Sequence, residues 1–139
     1  DVLLAEHVWE HLTVADGTIG IKNCFDYLKP QGYLRIAVPD GNHPDPEYIE
    51  HVRPGGTGIG ADDHKILYTI ESLSSVLESA GFKVHPLESF DKNGQFHFEA
   101  WDKESGMVPR SSRYDRRNQN GQLKMTSLII DAIKPDANH

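Results

Sequence analysis

The strongest constraint on the fold lies in the first 38 residues. Val2-Leu3-Leu4-Ala5, ending in Glu6, is an apolar run of strand length rather than helix length. Residues 13–28 then place Val14, Ile21, Cys24, Phe25 and Leu28 on one helical face, with Thr13 or Asp16 as the cap. Gly17 and Gly20 weaken the first turn of that helix. Lys29-Pro30-Gln31-Gly32 stops it, because proline cannot continue a helix and glycine permits the exit turn. Tyr33 to Val38 alternates as a strand, with Leu34, Ile36 and Val38 on one face. Strand, helix, strand in this order is a βαβ unit, which crosses over right-handed within a parallel sheet.

The rest of the chain adds antiparallel elements. Residues 39–65 hold prolines 39, 44, 46 and 54 and glycines 41, 55, 56, 58 and 60, a long loop with room for a turn or two of helix at 47–52. Leu73, Val76, Leu77 and Ala80 predict an amphipathic helix from about residue 70, capped by Thr69 and ended by Gly81. A strand over 82–90 is interrupted by Pro86, which predicts an edge or a bulge. Asn93-Gly94 predicts a type I′ turn into a strand over 95–101. A polar loop over 105–122 leads to a closing apolar strand over 125–133. The pattern predicts one α/β domain over residues 1–139, with parallel strands first and an antiparallel edge last.

Composition narrows the function classes. Lys and Arg number 14 against 21 Asp and Glu, a net charge of −7, which argues against non-specific nucleic-acid or anionic-membrane partners. The single Cys24 excludes an internal disulfide framework and a cysteine-rich zinc site, and suits a reducing, cytoplasmic setting. No apolar run is long enough to span a membrane as a helix.

Open parallel sheets bind ligands beyond the carboxyl ends of their strands. Glu6-His7 follows the first strand and Pro39-Asp40-Gly41 the second, so both face one expected crevice together with His43. His64 and Tyr68 precede the second long helix and are deliverable to the same crevice by the loop. His7-x-x-Glu10-His11 matches the inverted zincin pattern, with Glu71 or Glu78 as candidate third ligands. That chemistry needs a continuous helix through both histidines, whereas the helix signals begin only after His11, so no metal site is expected from it. Gly55 to Gly60 resembles a phosphate loop in composition but lies between Arg53-Pro54 and Ala61-Asp62, not between a strand and a helix, which makes it a hinge or lid. Arg110, Arg113, Arg116 and Arg117 form a local basic patch around Tyr114; such a patch can bind an anionic substrate or nucleic acid through phosphate contacts, but at this net charge it is read as a solvated loop. Trp9 and Trp101 are read as packing residues.

Two stretches resemble the middle of a class I S-adenosylmethionine-dependent methyltransferase. They are Asp1-Val-Leu-Leu-Ala-Glu-His-Val-Trp-Glu-His-Leu12 and Leu28-Lys-Pro-Gln-Gly-Tyr-Leu-Arg-Ile-Ala-Val-Pro-Asp-Gly41. The family's fourth strand ends in a similar Glu-His turn, a helix closes on Leu-Lys-Pro-Gly-Gly, and the fifth strand follows; here Gln31 stands where the family favours glycine. His64-Lys-x-x-Tyr68, Ser72-Leu73 and Ala80-Gly81-Phe82 resemble the next helix and sixth strand, and Ser127 to Pro135 the seventh. The resemblance implies a partial Rossmann-like methyltransferase sheet, parallel with an antiparallel C-terminal strand or hairpin. It implies S-adenosylmethionine as the cofactor of a complete parent protein, lined by Glu6, His7 and Val8. It further implies His7, Asp40 or His64 as general base, and His43 and Tyr68 facing a small-molecule acceptor. The family's glycine-rich cofactor loop and its acidic ribose-binding residue have no counterpart here. The chain is therefore expected to be the C-terminal part of such a domain, cut at Asp1, inactive and without cofactor when isolated. Val2, Leu3 and Leu4 would then form an unpaired edge, and a homodimer through it is expected. The alternative is a non-catalytic binding module that keeps the fold.

Overall fold

The βαβ unit forms as the pattern predicts in a computed structural model, which describes residues 1–118 and 122–136. Strand β1 (Val2–Glu6), helix α1 (Val14–Tyr27) and strand β2 (Tyr33–Val38) are followed by α2 (Pro46–Val52), α3 (Ile70–Ser79), β3 (Lys83–Phe90), β4 (Phe96–Phe98) and β5 (Leu128–Ile133). Single 3₁₀ turns lie at Trp9–His11, Ala61–Asp63 and Lys103–Ser105. None of the described helices is long and apolar enough to cross a membrane.

The five strands run in the order β1-β2-β5-β3-β4. β1 and β2 are parallel, with Val2 opposite Tyr33, while β5 is antiparallel to both β2 and β3. The last strand therefore enters the middle of the sheet, not its edge as the pattern predicts. The physical reason is its apolarity: Leu128, Ile129, Ile130 and Ala132 are all fully buried, so the strand demands cover on both faces.

That cover comes from two sources. On one face Ile21 of α1, Leu28 just after it, and Leu73 and Leu77 of α3 pack against Leu34, Ile36, Leu128 and Ile130. On the other, Trp101 and Val108 from the loop after β4 pack on Ala37, Leu87 and Ile129. Beneath that loop the Arg35 guanidinium meets Asp131 in two hydrogen bonds of 2.8 and 3.0 Å, across directly paired positions of β2 and β5. Its third nitrogen donates to the carbonyls of Asp102 and Gly106 at 2.7 and 2.8 Å, which pins the loop to the sheet.

Several local expectations are corrected. Val14 is 67% exposed and leaves the core; Trp9 takes its place. The glycines of α1 make room for that indole, since a Cβ on Gly20 would lie 3.1 Å from Trp9 Cζ2. Trp9 Nε1 donates to the Gly17 carbonyl at 3.0 Å, so helix and indole are joined, and Thr13 caps the helix through the Asp16 N–H. At Asn93-Gly94 only the glycine has a left-handed φ, 78°, which excludes the type I′ turn. Asp91 Oδ1 instead accepts from the N–H groups of Asn93 and Gln95. β4 stops at Phe98 because Trp101 turns inward and donates to Glu88 Oε2 at 2.8 Å. Pro86 sits at the register shift of β3, as its sequence position predicts.

The exit from α1 is made by Gln31, not Gly32: Gln31 has φ 69°. A left-handed L-residue costs roughly 1–2 kcal/mol, and glycine escapes that at the price of a larger unfolded-state entropy of roughly 0.5–1 kcal/mol. The Gln31 side chain is exposed, so little packing is lost on its removal. Gln31→Gly is expected to raise stability by about 0.5–1 kcal/mol in urea unfolding, and a loss of stability would contradict the strain.

Candidate functional site

Because β5 runs antiparallel to β2, its amino end meets the carboxyl ends of β1 and β2. At that junction His7 leaves β1 with φ 55°, a left-handed backbone that costs a non-glycine residue roughly 1–3 kcal/mol. Its N–H donates to the Ala37 carbonyl at 2.7 Å, and its ring Nε2 lies 2.7 Å from Ser127 Oγ. The strained turn thus points the imidazole at the residue that precedes β5. Both residues line a cavity of about 480 Å³, shared with Tyr48, His64, Arg110 and Arg117.

Behind the cavity sits Glu10, 0% exposed, held by the 3₁₀ turn Trp9–His11. Three imidazoles surround its Oε2: His7 Nδ1 at 3.2 Å, His11 Nε2 at 3.9 Å and His64 Nε2 at 4.0 Å. None of these contacts is aligned as a hydrogen bond, and neither Glu10 oxygen has a hydrogen-bond partner among the described residues. The other ring nitrogens are held. His64 Nδ1 is 2.6 Å from the Val52 carbonyl, and His11 Nδ1 is 3.3 Å from the Asp63 carboxylate. The continuous helix that the inverted zincin pattern needs does not form.

Of the residues expected at the site, His7 and His64 come together around this carboxylate, while Asp40, His43 and Tyr68 do not line the cavity. Asp40 is fully buried, and both oxygens are engaged: Oδ1 accepts from Asn42 N at 3.0 Å and Oδ2 from Phe90 N at 2.8 Å. His43 stacks on Tyr48 with ring centroids 4.0 Å apart, accepts from Asp45 N, and directs Nε2 at the Leu123 carbonyl. Burial pushes the His43 pKa down. Tyr68 belongs to the core with Trp9, where burial first, and then the Glu10 charge, push its phenol up. Glu6 accepts the Arg110 N–H at 3.1 Å, and Val8 is 46% exposed at the start of the 3₁₀ turn.

Sequence reasoning left out Ser127 and Tyr48, set the arginines of the basic patch aside as a solvated loop, and kept Glu10 only within the zincin pattern. Tyr48 is buried; its hydroxyl accepts from Asp40 N at 3.0 Å and donates to the Thr126 carbonyl at 2.8 Å. The basic patch divides: Arg117 pairs with Asp115 at the cavity, while Arg113 lies 4.5 Å over the Tyr114 ring and packs. The glycine-rich loop wraps the end of α2, with Thr57 N donating to Glu50 O and Gly58 N to His51 O.

The fold is that of a Rossmann-like methyltransferase sheet, mixed α/β with the antiparallel strand inserted. The chain is similar to the crystal structure of a SAM-dependent methyltransferase from Archaeoglobus fulgidus, with a TM-score of 0.55 and 20% sequence identity over 96% of this chain and 59% of that one. It therefore spans 59% of that protein's length. No protein-family model and no curated protein matches the chain.

Asp40 gives this region a pH dependence. Burial raises its carboxyl from 3.8 to about 6, against the Phe90 and Asn42 N–H groups that lower it. The unfolded chain releases this proton first, so the Asp40 contribution to stability is full below pH 3.8 and is lost as pH rises to about 6. Urea unfolding across this range is expected to show the decline in the wild-type chain and not in Asp40→Asn. Equal slopes in the two proteins would contradict it.

Proposed function

We propose that this chain is a methyltransferase-like protein that supplies the acceptor-side wall of an S-adenosylmethionine-dependent methyl-transfer site, and that the isolated chain does not turn over. The observation that carries this reading is the position of the cavity. It lies at the carboxyl ends of β1 and β2, where open α/β sheets bind ligands, in a fold shared with a SAM-dependent methyltransferase. When bound, that cofactor supplies an electrophilic methyl carbon.

The residues present fit only one wall of the cofactor. In this reading Glu6, His7 and Val8, at the end of β1, form that wall; of the three, His7 lines the cavity. The glycine-rich loop, however, directs N–H groups of Thr57 and Gly58 at α2 carbonyls and is not available as a cradle. No step is therefore derived through the cofactor. What the chain's own residues do is hold and orient an acceptor. In this reading His7 is the general base, and a proton from an acceptor hydroxyl or amine reaches its Nε2 through the Ser127 hydroxyl 2.7 Å away. Arg110 adds positive charge to the wall, while Arg117 is neutralised by Asp115 beside it; Arg110 favours a small acceptor with an anionic group. Asp40, His43 and Tyr68 act behind the cavity, holding the loops that shape it. A cytoplasmic setting belongs to this reading.

Titration calorimetry with S-adenosylhomocysteine tests it. The 139-residue chain alone is expected to show no micromolar binding, and a chain extended upstream by a strand and a glycine-rich loop is expected to bind. Micromolar binding by the short chain would overturn the partial-site reading.

A second observation favours self-association of the isolated chain. β1 is an edge strand, and its Val2 and Leu4 are 45% and 48% exposed. An unpaired apolar edge is a template for pairing, and a second copy of β1 supplies the matching surface. Sedimentation velocity is expected to show a dimer; a monodisperse monomer at tens of micromolar would count against it.

A further inference from the structure

Methyl transfer leaves the Glu10 cluster unexplained. Its carboxylate holds the only carboxylate oxygens that are buried without a hydrogen bond among the described residues. A buried, unpartnered charge is strongly unfavourable, so something must meet it. The neighbouring rings do not do so by hydrogen bonding: His7 Nδ1, at 3.2 Å, is not aligned as a hydrogen bond, and 3.9 Å to His11 and 4.0 Å to His64 are beyond that range.

The tautomers explain the gap. Val52 O can only accept, so His64 Nδ1 carries its hydrogen; the Asp63 carboxylate and carbonyl fix His11 Nδ1 in the same way. In the neutral imidazoles, the form that ligates metals, the Nε2 atoms that face Glu10 are then lone-pair donors. Two lone pairs directed at a carboxylate repel it unless a cation lies between them. We propose that Glu10, His11 and His64 bind one divalent first-row transition-metal ion.

The donor set fits that class. Two imidazole nitrogens and one carboxylate oxygen suit zinc and its neighbours better than magnesium or calcium, which prefer oxygen. One donor atom from each of the three residues lies within 4.8 Å of the others. Metal bonds of about 2.0–2.2 Å place adjacent donors roughly 3–3.5 Å apart, so each Glu10–histidine distance needs to close by roughly 0.5–1 Å, and the widest donor pair by up to roughly 1.5 Å. The outer partners are those that metal-bound histidines use: a backbone carbonyl behind His64 and a carboxylate behind His11. Three protein ligands leave a coordination position open, and His64 lines the cavity. An ion there would join the turn after β1 to the loop before α3, and its open position would take an oxygen or nitrogen of whatever fills the cavity.

This inference is independent of the methyl-transfer reading, because metal binding is measured without cofactor or turnover. The chelator-treated chain is titrated with Zn²⁺ by calorimetry and with Co²⁺ by visible absorption. One equivalent is expected, with a Co²⁺ band and a rise in melting temperature. Glu10→Gln and His64→Gln are each expected to weaken binding by at least about 100-fold, and Asp63→Asn by about 10-fold. His85→Gln, a change at an exposed surface histidine, should bind as the wild type does. Glu10→Gln also removes the buried charge, so without metal it should melt at or above the wild-type temperature while Zn²⁺ no longer shifts it. Absence of saturable Zn²⁺ and Co²⁺ binding, equal affinity in Glu10→Gln, or a preference for Mg²⁺ would each overturn the site.

Discussion

The structure depends on β5 threading between β2 and β3. Its backbone is paired on both sides, and its alternate side chains reach both cores, so neither layer closes without it. The Arg35–Asp131 pair fixes its register against β2, because a slip by one residue would strand a buried guanidinium. Just beyond the strand, Lys134 Nζ donates to the Phe25 and Leu28 carbonyls at 2.8 Å and closes the end of α1. The last strand thereby ties together elements that are remote in sequence.

The unfavourable features gather at one end of the sheet. His7 holds a left-handed backbone, and Glu10 is buried without a hydrogen bond. Both lie at the mouth made by β1, β2 and the start of β5, away from the two packed layers. Such strain persists only where the surroundings over-determine it. Here the His7 N–H bond to Ala37, the Ser127 contact and the Trp9 indole locked against α1 do so. The two packed layers carry the buried core, and the strain is confined to the mouth.

Much of this was legible in the residues. The βαβ unit, the Thr13 and Thr69 caps, the bulge at Pro86 and the packing roles of the two tryptophans follow from local signals. His7 and His64, which line the cavity, were legible as candidates because each sits at a strand end or loop exit. Asp40 and His43 shared that local signature, yet their polar atoms are used by backbone groups of Asn42, Phe90, Asp45 and Leu123. No local pattern reveals which backbone groups will compete for a side chain. Gly17 and Gly20 show the same limit, since they look like helix weakeners until Trp9 is seen against them.

The sequence by itself determined the element types, the parallel start and the presence of polar groups at the ends of the first two strands. Hydrophobic period, capping and turn chemistry act over a few residues, and these features need nothing more. Tertiary structure alone decided that β5 lies in the middle of the sheet, that Ser127 reaches His7 across 120 positions, and that His11 and His64 converge on Glu10. Those outcomes depend on burying both faces of one apolar strand, a requirement that only the assembled sheet can satisfy.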